Sequence, residues 1–138
     1  MLCSNVAKLA DFGYATRCLD TKGQVILSTN FCGTMEYKAP EAIRCTKPYN
    51  PMMADCFSLG ILLFVMVTHE FPFGSGNEIR TREGLLLHYE DITQKKWRPT
   101  GVIQTDLKLY CLLCQLLNPE VKERITARQA LVQSWLVD

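Results

Sequence analysis

The longest hydrophobic stretch of the chain lies near its middle and predicts a buried helix. Apolar residues dominate residues 52–68 and are interrupted by only one glycine over residues 59–67. Pro72 and Gly74 then break the pattern, as turn residues do beyond the end of a helix. The apolar run is shorter than the ~20 residues that a bilayer-spanning helix needs, so it favours a core helix over a membrane span.

A second apolar helix is predicted over residues 107–117. Thr105 or Asp106 can cap its first turn, because a short side-chain oxygen there accepts a hydrogen bond from a free backbone N–H group. Asn118 and Pro119 end the helix, since the residue before a proline avoids the α conformation.

The last helix has the most specific start signal in the chain. Thr126 stands three residues before Gln129, which is the spacing of a capping box. Ile125 and Ala130 occupy the positions of a hydrophobic staple across the same helix start. The sequence therefore predicts one continuous helix over residues 127–137.

The remaining segments give weaker patterns. Residues 1–10 place a Ser-Asn turn signal between two short apolar stretches, which predicts a small β-hairpin. Residues 12–37 show no sustained period and predict a long loop, and a loop of this length in a compact domain is usually functional or mobile. Residues 41–44 predict a short helix, and residues 77–96 an amphipathic surface helix that Gly84 loosens.

Composition narrows the class of protein. The chain of 138 residues is 48% apolar and 21% charged, as in one soluble globular domain, and its net charge of +1 indicates no nucleic-acid or membrane partner. Seven irregularly spaced cysteines without a signal segment indicate an intracellular, cytoplasmic protein. Cys111 and Cys114 lie in a predicted helix with no second pair at zinc-finger spacing, so no metal site is expected there.

Four short motifs carry the candidate chemistry. They are Asp-Phe-Gly at residues 11–13, Gly-Thr-Met-Glu-Tyr-Lys-Ala-Pro-Glu at 33–41, Asp-Cys-Phe-Ser-Leu-Gly at 55–60 and Asn-Pro-Glu-Val-Lys-Glu-Arg at 118–124. Asp-Phe-Gly alone can be an ordinary turn. In this order and at these separations, however, the four motifs resemble the carboxy-terminal lobe of a eukaryotic-type serine/threonine protein kinase, over nearly the whole chain.

The resemblance implies a fold and a loop function. The expected fold is mainly α, a kinase-like large lobe with a short amino-terminal β-hairpin and an activation-segment loop over residues 11–41. Gly33, Thr34 and Tyr37 are implied to form the substrate loop, called the P+1 loop because it contacts the substrate residue after the phosphoacceptor. Thr34 and Tyr37 are similar to the serine/threonine branch rather than the tyrosine branch.

By the same resemblance, the first motif binds the nucleotide cofactor. Asp11 is implied to hold the magnesium ion that bridges the β- and γ-phosphates of ATP. Phe12 is expected to pack behind Asp11, and Gly13 lets the backbone turn because it has no Cβ. The resemblance therefore implies ATP and magnesium as cofactors of the complete domain, but this chain alone is not expected to bind them.

Three further charged residues have implied structural roles. Glu41, which follows Ala39 and Pro40, is expected to form an ion pair with Arg124 and to tie the activation segment to the helical core. Asp55 is implied to accept hydrogen bonds from the backbone of the catalytic loop. The alternative for Asp55 is a carboxylate at a helix start, where the helix dipole favours negative charge.

The candidate activation segment also holds possible phosphosites. Asn30 stands where many relatives carry a phosphorylatable threonine, which leaves Thr29, and less favourably Ser28, as candidates. Residues 30–34 (NFCGT) and 133–135 (QSW) are similar to the calmodulin-dependent-kinase-like group, and within it to testis-specific serine kinases.

The sequence also departs from the family. It contains no glycine-rich loop, no matching strand lysine and no His-Arg-Asp motif, and Phe57 stands where the family usually has tryptophan. Residues 1–138 are thus expected to be a partial kinase domain that starts just after the catalytic loop and acts, when complete, on protein substrates. The alternative is a non-catalytic binding module that retains the substrate-docking surface.

Overall fold

A computed structural model of the chain describes residues 2–3 and 6–137. Within these residues the fold is mainly helical, as predicted, with one two-stranded sheet. The strands are β1 (Leu2–Cys3) and β2 (Val6–Ala7), and the helices are α1 (Pro40–Arg44), α2 (Pro51–Thr68), α3 (Arg82–Thr93), α4 (Leu107–Leu116), α5 (Ala127–Ala130) and α6 (Ser134–Val137). Short 3-10 helices lie at Met35–Tyr37, Glu78–Arg80 and Gly101–Gln104.

The predicted hairpin is confirmed. Strands β1 and β2 pair antiparallel, with Leu2 opposite Ala7 and Cys3 opposite Val6. The Ser-Asn turn that joins them lies outside the described residues. Val6 and Ala7 are both exposed, so strand β2 contributes little to the core.

The predicted loop has no helix as far as residue 34, and the first 3-10 helix begins at Met35. One isolated bridge joins Ser28 to Tyr49 through two backbone hydrogen bonds of 2.8 and 2.9 Å. The Tyr49 hydroxyl also donates to the Asn30 carbonyl at 2.7 Å. These bonds fasten the second half of the loop to the segment that precedes α2.

Helix α2 forms the centre of the core. It starts where Pro51 follows the capping residue Asn50, whose side-chain oxygen accepts a 3.0 Å hydrogen bond from the Met52 N–H group. Phe57 and Ile61 on this helix are 0% exposed and pack against α4 and the 3-10 helix Gly101–Gln104. Burial of such side chains from several helices supplies most of the folding free energy.

Helix α2 has the length and composition of a membrane-crossing helix. It has 18 residues and a mean hydropathy of 1.8. A core helix has the same properties, and the buried side chains of α2 face α4, which agrees with the core helix that the sequence predicts.

The close packing of α2 against α4 depends on one glycine. A Cβ atom at Gly60 would lie 2.9 Å from the Leu116 Cβ atom and 2.9 Å from the Leu117 Cδ2 atom. The backbones of the two helices can therefore approach here only because residue 60 has no side chain.

Helix α4 starts directly after Asp106, one of the two residues that the sequence predicts as its cap. Asp106 rather than Thr105 caps the helix, since its Oδ1 atom accepts a 3.0 Å hydrogen bond from the Leu109 N–H group. Its second oxygen, Oδ2, accepts a 2.9 Å hydrogen bond from the indole N–H group of Trp135. Asp106 thus joins the start of α4 to the end of the chain.

The prediction of one continuous helix over residues 127–137 is wrong, although its start signal is confirmed. The capping box of Thr126 and Gln129 is complete, and Ile125 packs in the same cluster as Ala130. Helix α5 ends at Ala130, where the Gln133 N–H group bonds to the Ala130 carbonyl in a tighter turn. The chain thereby bends before α6, the helix that carries the Trp135 indole to Asp106.

The amphipathic helix predicted over residues 77–96 is shorter in the structure, where α3 covers only Arg82–Thr93. Gly84 lies in its first turn and not at its centre, and its N–H group donates a 3.0 Å hydrogen bond to the Thr81 side chain that caps the helix. A glycine in a capped first turn weakens a helix less than one in the interior.

Candidate functional site

Asp11 is held in an unusual backbone conformation at the start of the long loop. Its φ of 61° lies in the left-handed region, where few residues other than glycine are found. Its Oδ1 atom accepts a 3.3 Å hydrogen bond from the Gly13 N–H group, and a Cβ atom at Gly13 would lie at the same distance from that oxygen. Aspartate is one of the few residues that adopt this conformation when the side chain bonds the local backbone, and here it leaves the carboxylate exposed to a ligand.

The expectation that Phe12 packs behind Asp11 is not met. The Phe12 side chain is 69% exposed, and Leu9 and Tyr14 on either side are 89% and 74% exposed. This whole part of the loop lies outside the core, so it offers Phe12 no apolar surface.

Magnesium fits Asp11 as a single ligand. Mg²⁺ is usually bound by one or two carboxylates together with water and substrate phosphates, so it does not require a complete protein cage. Among the described residues, no group of three or more His, Cys, Asp or Glu side chains could hold a metal ion by itself. The donor set therefore suits an ion that arrives with a phosphate ligand.

The candidate substrate loop is anchored to α2 and to the loop that follows α2. Gly33 has a φ of 91°, which a residue with a side chain rarely adopts. The Tyr37 ring packs edge to face against Phe71, with ring centroids 5.4 Å apart. The Ser58 hydroxyl donates to the Tyr37 carbonyl at 2.8 Å, while Thr34 at the other end of the turn stays exposed.

Lys38 is a buried cation that the sequence interpretation missed. Its side chain is only 6% exposed, and burial lowers the pKa of its ammonium group. The ammonium donates a hydrogen bond to the Cys32 carbonyl and lies 4.8 Å from the centre of the Phe31 ring. No pattern in the sequence predicts this burial, because a lysine is ordinarily assigned to the surface.

Asp55 lies on α2 beyond its first turn, so the structure does not support the alternative of a carboxylate at a helix start. Part of the residue is exposed, yet the protein atoms around its carboxylate exclude enough water that desolvation raises its pKa. No hydrogen-bond or ion-pair partner of Asp55 is found within residues 2–3 and 6–137. Its carboxylate remains available to donors.

The candidate substrate loop, Lys38 and Asp55 line one cavity of about 350 Å³. Its walls include the candidate substrate-loop residues Gly33, Thr34 and Tyr37 together with Lys38 and Asp55. Two motifs that are separated in the sequence therefore meet at one site, with one cationic and one anionic side chain on its walls.

The predicted ion pair between Glu41 and Arg124 is formed. The Arg124 Nη1 atom lies 2.7 Å from Glu41 Oε1, and its Nη2 atom lies 3.0 Å from Glu41 Oε2. The Arg124 side chain is fully buried, and this two-pronged geometry is the strongest that arginine forms with a carboxylate. The pair joins α1 to the turn before α5.

Arg124 uses its remaining donors on carbonyl groups. It donates to the Asn118 carbonyl at 2.8 Å, to the Met53 carbonyl at 2.7 Å and to the Pro119 carbonyl at 3.4 Å. Its guanidinium carbon lies 5.0 Å from the centre of the Phe57 ring, where the family usually has tryptophan. One side chain thus connects the second, third and fourth motifs.

The two candidate phosphosites differ in exposure. The Thr29 side chain is exposed, whereas Ser28 is half-buried and its hydroxyl accepts a 3.1 Å hydrogen bond from the Asn30 N–H group. Both residues line a small surface cavity together with Arg17.

His88 is buried behind the candidate substrate loop, and neither ring nitrogen makes a hydrogen bond of good geometry among the described residues, although the Met35 backbone is close enough to raise its pKa slightly. Its ring packs against Phe73, with centroids 6.4 Å apart. Burial lowers the pKa of His88 below its ordinary 6.5, and the carboxylates of Asp91, on its own helix, and Glu36, in the 3-10 helix Met35–Tyr37, oppose this shift only in part. His88 is therefore neutral in the folded protein at neutral pH.

This burial predicts that the free energy of unfolding decreases as the pH falls below about 6.5. The unfolded chain then gains a proton on His88 that the folded chain does not, so the loss begins at the unfolded pKa and continues down to the lowered folded pKa. Urea unfolding between about pH 7.5 and 5.5 measures the effect, and His88→Leu should abolish this component. The control is exposed His69, whose change to Asn should leave the pH dependence intact; equal slopes in wild type and His88→Leu would contradict the assignment.

Comparison with known proteins identifies the family. The family model for the protein kinase domain matches residues 1–136. The chain is 34% identical to mouse testis-specific serine/threonine-protein kinase 2 over 130 residues, which are 94% of this chain and 34% of the relative. It is 32% identical to human testis-specific serine/threonine-protein kinase 1 over 130 residues, 94% of this chain and 33% of the relative.

A plant relative gives the same result. The chain is 31% identical to rice CBL-interacting protein kinase 30 over 128 residues, which are 93% of this chain and 25% of the relative. The chain thus spans about a third or less of the length of the curated relatives that it matches. The predicted similarity to testis-specific serine kinases is confirmed, and the chain belongs to the protein kinase domain family, in its serine/threonine branch.

Proposed function

We propose that this chain is the carboxy-terminal lobe of a kinase domain that transfers the γ-phosphate of ATP to serine and threonine residues of proteins. The observation that carries the proposal is the exposed Asp11 carboxylate in Asp-Phe-Gly, on a fold whose Glu41 and Arg124 form a two-pronged hydrogen-bonded pair. The family match over residues 1–136 supports it. The remaining parts of the domain would lie outside residues 1–138.

The residues of this chain would contribute one part of the catalytic machinery. Asp11 would hold magnesium, and Gly13 would keep the chain close to the carboxylate because it has no Cβ. When bound, the ion neutralises charge on the phosphates, which with positioning is most of the catalysis of phosphoryl transfer. Asp55 would accept backbone hydrogen bonds from the catalytic loop, and these would offset the desolvation that raises the pKa of its carboxylate in this chain.

The substrate side would be formed by the anchored turn. Gly33, Thr34 and Tyr37 would present the backbone that contacts a peptide substrate, held in place by the Ser58 hydroxyl and the Phe71 ring. The pair of Glu41 and Arg124 would keep this loop at a fixed distance from α2 and α4. Each of these roles is one of positioning and not of bond making.

Regulation would act on the exposed part of the same loop. Thr29 is the better phosphosite of the two candidates, because its side chain is exposed while the Ser28 hydroxyl is already hydrogen bonded. A phosphate carries nearly two negative charges and needs cationic partners to order a loop, and Arg17 is close enough to share a cavity with Thr29. We place this kinase inside the cell, where both ATP and protein substrates are found.

The decisive experiment joins the amino-terminal part of mouse testis-specific serine/threonine-protein kinase 2, up to the matched region, to this chain. The fusion is expected to phosphorylate a generic serine/threonine substrate. This chain alone is expected to show neither turnover nor magnesium-ATP binding by calorimetry, because one carboxylate cannot position the nucleotide.

Two outcomes would contradict the proposal. Turnover or clear nucleotide binding by the chain alone would show that it is not a dependent lobe. A folded fusion that binds peptide substrates but transfers no phosphate would favour the non-catalytic binding module.

Association of the chain alone is expected as well, because Leu59, Leu62 and Met66 leave an apolar side of α2 between 40% and 66% exposed.

A further inference from the structure

Lys38 is a nearly buried cation, and none of the ion pairs found within residues 2–3 and 6–137 joins it to a carboxylate. A lysine ammonium has three donors, and the one acceptor found for it among the described residues is the Cys32 carbonyl. Its other neighbours are the Phe31 ring and the thiols of Cys32 and Cys45. Burial of a charge is costly unless the charge is paired, so an anion that binds beside Lys38 would be stabilised by the ammonium group.

The position of the Lys38 ammonium group indicates which anion could bind it. The ammonium end of Lys38 lies against Phe31 to Gly33, and Gly33 lines the cavity that also contains Thr34 and Tyr37. Lys38 itself lines this cavity, so the cavity gives access to its side chain although the residue is only 6% exposed. An anion that enters along the candidate substrate loop therefore meets Lys38.

Asp55, the other charged residue that lines the cavity, does not form an ion pair with Lys38 in the described part of the chain. The cavity is thus open to a carboxylate from outside the chain.

We infer that Lys38 selects protein substrates with an acidic side chain next to the phosphoacceptor, at the position that the loop of Gly33, Thr34 and Tyr37 contacts. This inference rests on the proposed function, because it assigns the substrate class of the same site. The carboxylate of a glutamate or aspartate would occupy the free donors of the ammonium. In the partly buried cavity such a pair is screened less than one on the open surface.

The test uses two short serine peptides that differ only in glutamate or glutamine directly after the serine. Binding to this chain is measured by fluorescence anisotropy without nucleotide. The glutamate peptide is expected to bind about tenfold more tightly at low salt, with a smaller preference at high salt. Equal binding of the two peptides, or undetectable binding of both, overturns the inference.

Two variants separate the role of Lys38 from a structural one. Lys38→Met keeps the aliphatic stem and is expected to abolish the preference for the glutamate peptide. Lys47→Met makes the same change of charge at an exposed position that lines a different cavity, and it should retain the preference. A preference that survives in Lys38→Met contradicts the assignment. The wild-type comparison stands even if Lys38→Met fails to fold.

The same measurement separates this inference from the proposed function. Peptide binding requires neither ATP nor the parts of the domain outside this chain, so the anisotropy result does not depend on phosphoryl transfer. An active fusion kinase that phosphorylates both peptides equally overturns the assignment of Lys38 alone. An inactive fusion with an intact glutamate preference counts against the proposed kinase activity and leaves the acidic site standing.

Discussion

Replacement of Arg124 by leucine is expected to lower the free energy of unfolding by about 3–5 kcal/mol. The substitution leaves the Glu41 carboxylate without its buried partner and removes donors from three carbonyl groups. A group that loses its partner inside a protein pays its desolvation cost without compensation. Urea unfolding of the wild type and of Arg124→Leu measures the difference, provided that the dependence of the unfolding free energy on urea concentration is the same in both.

The matched control for Arg124→Leu is Arg128→Leu, which makes the same chemical change at an exposed position in α5. Surface substitutions of this kind usually change stability by less than about 0.5 kcal/mol. Similar losses in the two variants would mean that the buried ion pair contributes nothing specific.

Substitution of Asp11 by asparagine is expected to reduce phosphoryl transfer by the fusion kinase by about 10³-fold, since it removes the negative charge that would hold the metal. The fold should be unaffected, because Asp11 is exposed and asparagine tolerates the left-handed conformation. The measurements are kcat and the thermal unfolding midpoint of both proteins.

Asp20→Asn is the control on the same loop. Asp20 accepts hydrogen bonds of 2.8 Å from the N–H groups of Lys22 and Gln24, and asparagine can accept the same bonds. Activity should therefore survive in this variant. Activity that also survives in Asp11→Asn would remove Asp11 from the metal site.

The elements predicted correctly are those whose signals lie within a few residues. The capping box of Thr126 and Gln129 and the cap at Asp106 are complete in four residues, and the apolar run of α2 needs no information from elsewhere in the chain. The pair of Glu41 and Arg124 is separated by 83 residues, and only the family resemblance made it predictable.

The errors occur where distant contacts decide the local structure. The break between α5 and α6 accompanies the docking of Trp135 on Asp106, which no pattern within residues 127–137 encodes. Lys38 and His88 are polar residues that tertiary packing buries, and sequence position alone would assign both to the surface. Phe12 is the reverse case, an apolar residue to which the described structure offers no packing surface.

Asp106 has a further consequence for how the domain comes apart. One of its oxygens caps α4 and the other holds the Trp135 indole, so the last turn of the chain and the start of α4 share a single carboxylate. Detachment of the terminal helix would withdraw a partner that helps to orient the cap, and fraying of α4 would release the terminal helix. We therefore expect α6 to open and close cooperatively with α4, the helix packed against α2.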